Sequence, residues 1–143
     1  MAKNKISITV FILSIAGLLF SGYLSGVKFF TSTCAFNEGC PFFLGYPACY
    51  FGFGMFLLIT IFSSLLVFSK IEKRKALLGL SMVSFLGMLF AGYFTFKEIP
   101  ILFQQGLGAY IFGLPTCALG LIFYVLIFVL STYFMSKEVA IIK

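Results

Sequence analysis

The chain contains no histidine, no aspartate and no tryptophan, and only four acidic residues stand among its 143. Without histidine and aspartate, neither a Ser-His-Asp triad nor a histidine-ligated metal or haem site can be built, and no metal site is expected. The carboxylates Glu38, Glu72, Glu98 and Glu138 are scattered, and none falls inside a long apolar run. A proton-coupled exporter normally keeps an ionisable group within the membrane, so that class is disfavoured. Charge of any sign is scarce, at 10% of residues, whereas 62% are hydrophobic. A soluble domain cannot bury that much apolar surface, which makes this an integral membrane protein. Strand-type alternation is also absent, and that argues against a barrel.

What is present is four apolar runs, near Ile6–Val27, Cys49–Phe68, Ala76–Phe94 and Leu114–Phe134. Each suffices for a helix across a hydrocarbon core of about 30 Å, which takes about 20 residues. The fold class expected is an all-α four-helix transmembrane bundle, one membrane domain over residues 1–143. The first run, although it follows Lys3 and Lys5, is too long for a cleaved signal and lacks a small-x-small site before a polar start. Eight basic residues, Lys3, Lys5, Lys70, Lys73, Arg74, Lys75, Lys137 and Lys143, fall on one side of these spans, against Lys28 and Lys97 on the other. The bias places both termini in the cytoplasm of a multi-pass cell-membrane protein, with the loops at about 28–48 and 95–113 outside. Topology thus explains the net charge of +6 without a nucleic-acid partner.

The bundle is written as two tandem hairpins, about 6–69 and 75–136. Ser14-Ile15-Ala16-Gly17-Leu18-Leu19-Phe20-Ser21-Gly22-Tyr23 returns about 70 residues later as Ser84-Phe85-Leu86-Gly87-Met88-Leu89-Phe90-Ala91-Gly92-Tyr93, and Pro47-Ala48-Cys49 returns as Pro115-Thr116-Cys117. The small-residue pairs Gly17/Ser21, Gly22/Gly26 and Gly87/Ala91 read as seams where backbones approach closely in lipid. The charged connector Ser69–Lys75 carries no expected chemistry. Lys97–Gly106 mixes polar and apolar residues, and a short interfacial helix is expected there, started by Pro100 and ended by Gly106. Phe29, Phe30, Phe42, Phe43, Phe51, Phe53, Phe103 and Phe112 gather towards the outer ends. An aromatic recess there suits a flat ring such as a quinone; lipid-facing or core aromatics are the plainer reading.

Chemistry is left to Cys34, Cys40, Cys49 and Cys117, all on the outer side, where disulfides persist. Pro47 and Pro115 suit first helical positions, which puts Cys49 and Cys117 in first turns. The free N–H groups and positive dipole end there favour a thiolate, the form that attacks disulfides or electron-poor rings. Cysteine in a membrane helix is also a small packing residue. The short loop from Cys34 to Cys40 permits a disulfide, which would be either a staple or an accessible redox pair.

The pattern resembles the vitamin K epoxide reductase family, including its bacterial and archaeal disulfide-forming members, over most of the chain. Tyr23-Leu24-Ser25-Gly26-Val27-Lys28 resembles the end of that family's first helix, and Cys34 and Cys40 its outer-loop cysteines. Ala48-Cys49-Tyr50-Phe51 is similar to its second-helix entry, Gly87 to Tyr93 to its third helix, and Cys117 to the second cysteine of its C-x-x-C. The resemblance implies an electron relay from a thioredoxin-like or other exported thiol protein, through the loop cysteines, to a C-x-x-C beside a quinone (ubiquinone or menaquinone). Leu114 stands where the first cysteine of C-x-x-C belongs. Leu44 and Leu121 stand where the family has a quinone-holding asparagine and tyrosine. The related family with a cysteine pair in each outer loop fits less well, since residues 95–113 hold no cysteine.

The repeat suggests that Cys49 replaces the missing partner, giving a relay from Cys34/Cys40 to Cys49/Cys117 and on to a quinone near Tyr46, Tyr50, Phe112 and Pro115. The alternative is a non-catalytic scaffold with structural disulfides that binds a lipid, a small apolar ligand or a membrane partner. A small channel or transporter is a third reading, favoured only by a continuous polar path.

Overall fold

In lipid a backbone must satisfy its own hydrogen bonds, so continuous apolar runs become helices. The computed structural model, which describes residues 2–33, 42–68, 70–106, 108 and 116–143, has four: α1 Ala2–Thr31, α2 Ala48–Val67, α3 Lys73–Gln105 and α4 Thr116–Ile142. A short hairpin, β1 Phe42–Phe43 and β2 Tyr46–Pro47, precedes α2. All four helices are long and apolar enough to cross a membrane, and they pack as an all-α bundle of a multi-pass membrane protein.

Helix lengths and lysines mark the membrane band. The 20 residues of α2 extend about 30 Å at ~1.5 Å each, matching the hydrocarbon core. The 33 residues of α3 reach about 50 Å and overrun it. Lys97 lies 4.5 Å from the Tyr93 ring centroid, and Lys137 lies 4.8 Å from that of Tyr133. The same Tyr-x-x-x-Lys pair therefore closes the apolar part of α3 at one end of the bundle and of α4 at the other. Such side chains lay an apolar body in the interface and lift the charge to water.

The expected spans and observed helices agree in number and place. One expectation is corrected: no separate helix begins at Pro100. Helix α3 runs through Pro100 to Gln105 and stops where Gly106 takes φ 74°, with the Gly106 N–H donating to Leu102 O at 2.8 Å. Proline withholds one hydrogen bond, the one to the carbonyl four residues earlier. That carbonyl belongs to Phe96, at an exposed level near the interfacial Lys97, and the bonds around it carry the helix on.

Helix α1 packs chiefly on α2 and α3 on α4, and the hairpins join through α2–α3 and α1–α4. Packing repeats one contact twice. The Phe56 ring of α2 presses on Gly17 of α1, and the Tyr124 ring of α4 presses on Gly87 of α3. A Cβ at either glycine would overlap the ring. The two rings then stack on each other across the bundle, with centroids 4.4 Å apart and planes at 14°. Gly22 faces Phe53 more loosely, with 3.3 Å from a Cβ there to the ring, whereas among the described residues nothing within 4 Å faces Gly26, so that half of the expected seam makes no close approach. The glycines are therefore sockets for ring knobs, a close fit that replaces the hydrophobic drive absent in lipid.

Below the rings lies a layer of buried serines. Ser14 and Ser63 share a hydrogen bond between hydroxyl oxygens at 2.8 Å, and Thr60 Oγ1 donates to Ser14 O at 3.2 Å. The repeat would pair Ser84 with Ser131 in the same way, but Ser131 instead meets Ser81 at 3.1 Å. The fully buried Ser84 hydroxyl has no partner among the described residues.

Candidate thiol site at one end of the bundle

The residues before α2 set the position of Cys49. Phe42 pairs with Pro47 and Phe43 with Tyr46, and the two turn residues, Leu44 (φ 52°) and Gly45 (φ 84°), are both left-handed. Two consecutive positive φ angles are the mark of a tight hairpin turn whose twist suits antiparallel strands. Phe43 fastens this hairpin to the bundle, since its ring meets Phe51, Phe90 and Phe94 edge-on at 5.3, 5.4 and 6.3 Å. Pro47 is buried and is the N-cap of α2, with no side-chain capping bond. The first-turn N–H groups, which lack intrahelical acceptors in any helix, surround Cys49 two residues on. Ser25 Oγ donates to Cys49 O at 3.1 Å and ties this helix start to α1.

Cys49 and Cys117 are both half-buried, and no disulfide joins them in the structure. Their orientation follows from the stacked rings. Cys49 precedes Phe56 by seven residues, as Cys117 precedes Tyr124. Seven residues bring a helix within about 20° of two full turns. Each thiol therefore lies on the face of its helix that carries a stacked ring, about 10 Å nearer the hairpin end, and both faces turn to the bundle interior.

Between thiols and rings the lining is glycine. The Pro-x-Cys repeat is part of a longer one, Gly45-Tyr46-Pro47-Ala48-Cys49-Tyr50-Phe51-Gly52 against Gly113-Leu114-Pro115-Thr116-Cys117-Ala118-Leu119-Gly120. Among the described residues, a Cβ at Gly52 would meet only the Tyr124 hydroxyl, at 4.0 Å, and one at Gly120 would meet nothing within 4 Å. Among the described residues, little therefore lies against the two glycines, and the aromatic stack sits beneath them. Tyr124, 2% exposed, donates its hydroxyl to Gly52 O at 3.3 Å and links α4 to α2 just below Cys49.

Of the residues singled out from sequence, Cys49 and Cys117 come to the same end and face the same interior. Tyr46 is 62% exposed on β2, and Tyr50 is half-buried in the first turn of α2. Cys34, Cys40, Phe112, Leu114 and Pro115 lie outside the described residues. No group of three or more metal-ligating side chains gathers among the described residues. Tyr124, Gly52 and Gly120 were not singled out. Setting the second helix of each repeat in register reveals them, because Tyr124 then stands opposite Phe56 as a hydroxyl gained in one copy.

Comparison with protein-family models, curated proteins and solved structures finds no match. The reading of the site therefore rests on its own residues.

Proposed function

We propose that the protein is a membrane thiol–disulfide oxidoreductase that passes electrons from a protein dithiol through Cys34/Cys40 and Cys49/Cys117 to a quinone. A thiolate of a thioredoxin-like or other exported thiol protein attacks the Cys34–Cys40 disulfide, and its second thiol displaces the mixed disulfide. Two electrons and two protons then rest on Cys34 and Cys40. Exchange with a Cys49–Cys117 disulfide moves them inward. The Cys49/Cys117 dithiol next forms its S–S bond, releasing two electrons and two protons, and the quinone (ubiquinone or menaquinone) takes up both pairs to become hydroquinone.

The observation that carries this reading is the pair of thiols at equivalent helix starts, turned to one glycine-lined interior above stacked aromatic rings. Flanking glycines leave room for the helix starts to approach and for a ring to enter. The lysine and arginine distribution supports cytoplasmic termini in the cell membrane, with the cysteine loops on the oxidising side. The test is reconstitution in lipid discs with a small dithiol and a short-chain quinone under nitrogen, following quinone absorbance. Wild type is expected to reduce quinone, and Cys49→Ser and Cys117→Ser each to stop it. Equal rates in wild type and both variants would end the proposal.

The second reading, a non-catalytic scaffold that binds a lipid, a small apolar ligand or a membrane partner, draws support from the half-burial of both described cysteines among packed helices. On that reading the thiols resist exchange, since buried structural cysteines are inert.

A further inference from the structure

The two stacked rings, Phe56 and Tyr124, stand at equivalent places in the repeat and differ by one oxygen atom. In both, the same ring atoms, Cδ1, Cε1 and Cζ, lie closest to the glycine socket, Gly17 for Phe56 and Gly87 for Tyr124. The rings are thus set alike in their repeats. Tyr124 carries a hydroxyl, which donates to Gly52 O on the facing helix. Phe56 carries none, so it offers no such donor to the carbonyl that corresponds to Gly52, that of Gly120. Among the described residues the space beside Gly120 is also open, whereas the tyrosine oxygen lies 4.0 Å from where a Cβ at Gly52 would stand. A helix carbonyl already bonded within its helix retains a second lone pair, the one that Gly52 uses for Tyr124.

We infer that the half-site beside Gly120 binds the hydroxyl of a phenol-type ring, which donates to Gly120 O in the place a Phe56 hydroxyl would occupy. The ring itself lies outward, next to Cys117. A quinone carries only acceptors, so this half-site favours the reduced form, a hydroquinone. Assigning the ligand to the quinone class rests on the proposed function. The position and the demand for a donor rest on the broken repeat.

The test uses the full chain in lipid discs, with its cysteines reduced, under nitrogen. The probes are a benzohydroquinone bearing a short alkyl chain and its dimethyl ether, which keeps the ring and oxygens but cannot donate. Binding is read against empty discs, because both probes partition into lipid. One net hydrogen bond makes the hydroquinone bind about 2- to 12-fold tighter than the ether. Phe56→Tyr supplies the hydroxyl from within and is expected to abolish that preference. Gly120→Ala, whose new methyl has open space, is expected to reduce it with no loss of thermal stability, which keeps the test valid even if Phe56→Tyr folds poorly. Equal affinity for the two probes in wild type would overturn the inference, as would an undiminished preference in both variants. Since no turnover is involved, the redox proposal fails separately: a protein that shows the preference but never transfers electrons keeps the half-site and loses the relay.

Discussion

The double knob-in-socket contact makes a sharp prediction at Gly87. Alanine is the better helix former by about 1 kcal/mol, so at an unconstrained site Gly→Ala is neutral or stabilising. At Gly87 the new methyl would overlap the Tyr124 ring. That ring cannot withdraw easily, because it stacks on Phe56 at 4.4 Å and Phe56 is itself seated on Gly17. Overpacking of this kind typically costs about 1–3 kcal/mol. The propensity gain offsets part of it, leaving Gly87→Ala destabilised by up to about 2 kcal/mol. Gly54, which faces nothing within 4 Å, is the control, and Gly54→Ala should gain up to about 1 kcal/mol. The assay is reversible unfolding of both variants in mixed micelles, followed by far-UV circular dichroism. If the two variants match within about 0.5 kcal/mol, the socket does not constrain packing and the central stack is not the keystone described above.

Leu44, 80% exposed with φ 52°, sits where asparagine or glycine is favoured; Leu44→Asn should stabilise the hairpin by about 1 kcal/mol, read as slower hydrogen exchange at Tyr46. Phe43→Ala removes three ring contacts, each worth about 0.5–1.5 kcal/mol beyond area. The freed hairpin should then let a membrane-permeant maleimide label Cys49 severalfold faster, and an unchanged labelling rate would show that the hairpin does not guard the thiol. Ser63→Ala breaks the bond to Ser14 and should cost about 0.6 kcal/mol, at most ~1.7. Ser84→Ala, which loses no partner among the described residues, should be neutral or stabilising in the same unfolding assay.

The bundle was legible because its signals are long-range averages: apolar run length, lysine placement and a repeat recurring after about 70 residues. Pro100 misleads as a helix start because a proline's effect depends on where the freed carbonyl lies, and a local motif does not say that α3 overruns the membrane there. Equivalent placement of Cys49 and Cys117 followed from the Pro-x-Cys repeat, since helix starts copy with the sequence. Their shared interior depended on Phe56 and Tyr124, which read as two aromatics among many until packing sets them face to face. That Ser131 bonds Ser81 and not Ser84 is a choice between two serines about one turn apart on α3, which no periodicity encodes. The hairpin is not legible in the sequence because two-residue strands carry too little alternation, and leucine at a left-handed turn position masks the turn.

The central claim is that the cysteines form a relay ending on a quinone. Its most direct measurement is the disulfide map of the purified protein by thiol trapping and peptide mass spectrometry. It is taken as isolated, after a mild dithiol, and after quinone is added under nitrogen. The account predicts that Cys34–Cys40 and Cys49–Cys117 open with dithiol and that Cys49–Cys117 closes again on quinone alone. Bonds that never open, or thiols that never pair when quinone is added, would contradict it and leave a bundle whose cysteines only pack.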